Sequence, residues 1–157
     1  MSKQTSTPLA VIGHASLARR FAIFVYDGLI ILAMLILMGF VITAIKQLMI
    51  GNIEEDFQFT KFLNLLNLVL VPYIYHHFFW RKGGQTVGMK TWRVRVNNQL
   101  NSQGLNTRQC LIRYFGGWVS FCAFGLGYLF ALRKNRQAWH DSWSNSELLQ
   151  LEKKTKQ

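Results

Sequence analysis

Between Arg20 and Lys46 the chain "FAIFVYDGLIILAMLILMGFVITAI" carries a single charged residue, Asp27. An apolar stretch of this length is enough to span a bilayer core, which takes roughly 20 apolar residues. It is longer than the apolar region of a cleaved leader, and no small-residue cleavage site with a soluble domain behind it follows. A second run, Phe62–Trp80, has just the length to span. A third, from Leu111 to Leu132, is interrupted by Gly116, Gly117, Gly125 and Gly127. These blocks predict an α-helical integral membrane protein with transmembrane helices over about 21–45 and 62–80.

The net charge of +11 in 157 residues would point to nucleic acid in a soluble protein. Here the basic residues flank the apolar runs, where they orient loops and meet anionic lipid headgroups. The expected partner is therefore the lipid bilayer, with no nucleic acid. Lys3, Arg19 and Arg20 precede the first run with no acid among them, and Arg81, Lys82, Lys90, Arg93, Arg95 and Arg108 follow the second. The 46–61 loop sets two lysines against Glu54, Glu55 and Asp56. The positive-inside rule then places the N-terminus and the 81–110 segment in the cytoplasm and the 46–61 loop outside.

The third run has basic flanks on both sides, since Arg133, Lys134 and Arg136 follow it. Arg113 also lies three residues inside it, a costly place except at an interface. Its glycines allow a re-entrant hairpin of two half-helices, each about 15 Å long; the alternative is a third span. The segment "TWRVRV" (Thr91–Val96) reads as a strand before a turn-rich stretch, and "SELLQLE" (Ser146–Glu152) offers it a partner. Such pairing forms a small cytoplasmic β element and requires the tail to share that compartment. The expected organisation is a cytoplasmic tail over 1–18, a membrane domain over 19–150 and a basic tail over 151–157.

A carboxylate inside a span costs roughly 2.5–3.5 kcal/mol on an insertion scale, so Asp27 must face protein or a wet cavity. Arg20 and Asp27 lie seven residues apart on one helical face, about 10 Å along the axis. Either another group lies between them or each has its own partner elsewhere. Asn64 and Asn67, one turn apart on the second run and sharing a face with Val71 and Tyr75, are the expected supporting polar partners of Asp27. Asp27 then reads equally as a packing lock or as part of an ion or proton path.

Other chemistry is not expected. Cys110 and Cys122 lack zinc spacing, and His76 and His77 diverge on a helix, so no metal and no cofactor are predicted. "RKGGQTVGMK" lacks the spacing and ending of a P-loop. His140 and Asp141 adjoin one another without a nucleophile in a recognisable context, so enzyme activity is not expected.

Arg20, Asp27 and Asp141, with "GGQTVGMKTWRVRV" and "RQAWHD", resemble the RDD family of small bacterial membrane proteins from about Ala18 to Leu149. The family is named for an arginine opening the first span, an aspartate within it and a second aspartate near the end. "SWSNSELLQLE" departs from the small-residue turn and β-branched strand that often close the family pattern. The resemblance implies a multi-pass protein of the bacterial cytoplasmic (inner) membrane. It also implies a polar site of Arg20, Asp27 and Asp141 serving small-cation or proton transport. Two spans cannot enclose a pathway, so transport requires a homo-oligomer or a partner membrane protein. The alternative is a non-transporting assembly or interaction protein in which the same three residues are a structural lock.

Overall fold

The structure, a computed structural model, describes residues 11–50, 57–99, 104–123 and 138–152. In chain order the elements are β1 (Val11–His14), α1 (Leu17–Ile50), α2 (Phe57–Lys82), α3 (Val87–Thr91), β2 (Val94–Asn98), α4 (Thr107–Cys122), α5 (Trp139–Trp143) and β3 (Ser146–Leu151). Helix α1 has 34 residues and a length of about 50 Å, well over the roughly 30 Å of a bilayer core. Helix α2 has 26 residues and runs unbroken through Pro72.

Both helices are long and apolar enough to cross a membrane, with mean hydropathies of 2.8 and 1.3 over their most apolar windows. Many of their apolar side chains face outward rather than into the protein. Phe21, Leu29, Ile36, Leu37 and Phe40 are each between 64% and 71% exposed. Contiguous apolar surface on this scale is what lipid covers, and it supports a transmembrane protein.

The two helices form an antiparallel hairpin whose cross-contacts descend in step. Asp27 meets Tyr75, Leu35 meets Asn67 and Lys46 meets Thr60. At the Asp27 end they carry a compact polar and β unit. Its sheet has the order β1-β3-β2, and both pairings are antiparallel. Strands β2 and β3 pair Val94 with Gln150, Val96 with Leu148 and Asn98 with Ser146. The partnership expected between "TWRVRV" and "SELLQLE" is present, and the unusual closing sequence is a strand. Strand β1 forms from residues expected to be only a tail, and joins the other edge of β3.

One core joins the sheet to the helices. Val94, Val96 and Leu148 pack with Ala15, Ile23, Trp80, Met89, Cys110 and Tyr114. Helix α4 opens with a capping box: Asn106 accepts from the Gln109 amide and the Gln109 side chain accepts from the Asn106 amide. The Gln109 side-chain Nε2 also donates to the Ser144 carbonyl at 3.0 Å, and its Oε1 accepts from Asn98 Nδ2 at 3.1 Å. One side chain thereby ties α4 to β2 and to the end of α5. Gly116 and Gly117, expected to be places where the third run bends, lie inside the continuous α4. The remainder of that run, including Gly125 and Gly127, lies outside the described residues, and with it the choice between hairpin and span.

Candidate functional site

The chain after α2 turns back at Gly84, whose φ of +67° suits glycine and whose absent Cβ would meet the Val96 carbonyl at 2.5 Å. That turn sets Thr86 at the N-cap of α3, where its hydroxyl accepts from the Met89 amide. The same hydroxyl donates to Asp27 Oδ2 at 2.5 Å. The Gly88 amide donates to Asp27 Oδ1 at 2.8 Å, as does the Tyr75 hydroxyl, also at 2.8 Å. A Cβ at Gly88 would lie 3.0 Å from both that carboxylate oxygen and the Ile23 carbonyl. Glycine therefore lets α3 approach α1 closely enough for the bond to form.

These partners differ from the expected ones. Asn67 is half-buried and donates to the Leu35 carbonyl at 3.3 Å, while Asn64 is exposed. The reason is the antiparallel hairpin: Asp27 lies near the start of α1 and so faces the latter half of α2. Tyr75 lies on the face expected, just over two turns beyond Asn67.

Asp141, in the first turn of α5, is fully buried and also takes three donors. Arg20 Nη1 donates to Oδ2 at 2.6 Å, Arg113 Nη1 to Oδ1 at 2.5 Å and the Ala138 amide to Oδ2 at 3.1 Å. Arg113 Nη1 also donates to Ser146 Oγ at the start of β3. Burial pushes the Asp141 carboxyl up, but Arg113, His140 and Arg20 outweigh it and hold the group well below the usual carboxylate range. Burial, aided by Arg113 and Arg20 and opposed by Asp141, pushes His140 down to about 4. His140 is thus neutral at pH 7.

Arg20, Asp27 and Asp141 accordingly form two clusters rather than one contact network. Arg20 pairs with Asp141, and Asp27 has its own partners on α2 and α3. Asp141 is enclosed by these partners. Arg20 and Asp27 share one cavity of about 380 Å³, together with His76, Arg113 and His140. Its other walls include Phe24, Ile31, Leu35, Leu68 and Trp118, from α1, α2 and α4.

Sequence reasoning passed over Tyr75, Thr86, Gly88 and Arg113 as partners. Arg113 gave a signal, since a guanidinium inside an apolar run needs an anion, and Asp141 is that anion. The "GGQTVGM" stretch gave another, a glycine-rich turn with no phosphate-binding spacing. Among the described residues no group of three His, Cys, Asp or Glu side chains converges to hold a metal ion.

A family model described as the RDD family matches residues 14–145, most of the chain. No curated protein matches it significantly, and no solved structure does.

Proposed function

This chain belongs to the RDD family, and we propose that it is a membrane-embedded binding and assembly protein in which Arg20, Asp27 and Asp141 are a structural lock. The lock fastens the β-capped end onto the two spans and so builds the cavity between α1, α2 and α4. One observation carries this reading: each carboxylate is buried and each accepts at least three hydrogen bonds from the described residues, shared between both of its oxygens. A carboxylate so engaged has little capacity left for a passing ion. In the same reading the protein is a multi-pass component of the bacterial inner membrane, with the N-terminus and the sheet in the cytoplasm. The pairing of β3 with β2 supports a third apolar segment that returns to the side from which it entered.

The second reading is movement of a small cation or proton, favoured by the position of Arg20 and Asp27 on one cavity wall. It requires a homo-oligomer or a partner membrane protein to complete the path. Asp27→Asn separates the two. The lock predicts lower abundance and a lower unfolding temperature in detergent. Transport predicts a normally folded variant that has lost cation flux in proteoliposomes.

A further inference from the structure

The cavity between α1, α2 and α4, of about 380 Å³, has a volume in the range of small-molecule sites. Phe24, Leu68 and Trp118 line it and are each 46% to 58% exposed, so it opens sideways through the surface that lipid covers. Ile31, Leu35 and Leu68 make one end apolar. His76 stands at the other, eight residues along α2 from Leu68 and about 12 Å away in helix rise. Among the ionisable side chains described on this wall, His76 alone is part-exposed. Arg20, Asp27, Arg113, Tyr114 and His140 are each 8% exposed or less, and the Tyr114 hydroxyl donates to the Val69 carbonyl at 3.0 Å. An anionic headgroup therefore meets covered guanidiniums here.

The histidine ring is oriented by its own helix. Its Nδ1 lies 2.8 Å from the Pro72 carbonyl oxygen, and its face packs near the Trp80 ring, with centroids 4.9 Å apart. A carbonyl oxygen only accepts, so Nδ1 carries the proton, and Nε2 of the neutral ring is left as an acceptor. Nε2 takes no hydrogen bond from the described residues. Unlike the neighbouring His77 Nε2, which is enclosed, it keeps accessible surface. The cavity thus offers one oriented acceptor at the head of an apolar channel.

We propose that this cavity binds an uncharged lipid alcohol, its hydroxyl donating to His76 Nε2 and its chain lying along Ile31, Leu35 and Leu68. A hydroxyl taken into an apolar site needs a hydrogen-bond partner, and His76 supplies one where the rest of the lining favours hydrocarbon. The inference rests on the lock reading, in which the lock builds the cavity, and names the class of ligand that the cavity takes.

The test is photolabelling of the full chain in phosphatidylcholine nanodiscs with dodecanol carrying a diazirine at mid-chain. The pH is set at about 8, above the ordinary histidine value of about 6.5. The methyl ether of the same probe has the same chain and no O–H to donate. With each probe counted per lipid, the alcohol should label peptides of α1 and α2 saturably, and the ether should bind about ten-fold more weakly. His76→Phe keeps an aromatic ring without the acceptor, and should bring the alcohol down to the level of the ether. Leu68→Trp fills the apolar end, away from the lock, and should abolish saturable labelling with the unfolding temperature unchanged. Equal binding of alcohol and ether to the unmodified protein would overturn the proposal, whatever the stability of either variant. So would labelling that never saturates, which is the behaviour of bulk lipid, or a preference for the alcohol that survives in folded His76→Phe. Failure of the lock is read separately, as a normal unfolding temperature in Asp27→Asn.

Discussion

Asp141→Asn acts on the contact that joins two buried guanidiniums through one carboxylate. The substitution keeps the shape of the side chain but removes the carboxylate that joins Arg20 to Arg113, both of which are buried. Removing one partner of a buried ion pair costs about 3–5 kcal/mol, because the other partner remains buried without it. A folded domain has about 5–15 kcal/mol in total, so this variant should lose a large share of its stability. Arg113→Gln should cost less, about 1–3 kcal/mol, since Arg20 and the Ala138 amide still serve Asp141. In the double variant only one buried guanidinium remains, so its cost should fall short of the two single costs combined. Chemical unfolding of the full chain in detergent, followed by tryptophan fluorescence, measures all four proteins. Additivity within about 0.5 kcal/mol, the behaviour of independent sites, would refute the shared cluster.

Unfolded His140 gains a proton near pH 6.5 and the folded side chain only near 4, so the unfolded chain holds more protons between those values. Stability should therefore fall by about 3 kcal/mol as pH drops from 6.5 to 4, and His140→Gln should flatten that window of a pH–unfolding series. Asp141, with its folded carboxyl held well below the unfolded value of 3.8, adds a further loss as pH falls beneath 3.8. Gly84→Ala and Gly88→Ala should each lower the unfolding temperature, while Gly83→Ala, with nothing within 4 Å of its added Cβ, should leave it nearly unchanged. Tyr75→Phe removes a donor from a buried carboxylate and should destabilise by about 1–3 kcal/mol, against about 0.6 kcal/mol for Asn67→Ala. In intact cells, an impermeant thiol reagent should reach Gln58→Cys and not Gln150→Cys; labelling of the latter would place β3 outside.

The two helices were legible because an apolar run is a local property that needs no partner to be recognised. The pairing of β2 with β3 was legible for a related reason: alternating Val94 and Val96 demanded a second strand, and few segments could supply it. Strand β1 was not, since "VIGH" is short, carries a glycine and is held by the edge of β3 rather than by its own pattern. The site divides in the same way. Arg20, Asp27 and Asp141 could be named from sequence, but which donor meets which oxygen depends on how α1 and α2 are staggered. That stagger brings Asp27 to Tyr75, 48 residues away, and closure of the sheet brings Arg20 to Asp141, 121 residues away. No window along the chain contains both members of either pair.

The middle strand of the sheet is the last to be synthesised. Among the described residues, strands β1 and β2 pair in the sheet with β3, so both wait for residues 146–151 to leave the ribosome. Arg20 and Arg113 wait equally, because Asp141 emerges only shortly before. The spans must therefore enter the bilayer while the arginine that opens α1 still has water or lipid phosphate for company. Emergence of β3, rather than insertion of the helices, is the event that closes the sheet. A chain halted before residue 141 would lack the carboxylate that joins Arg20 to Arg113.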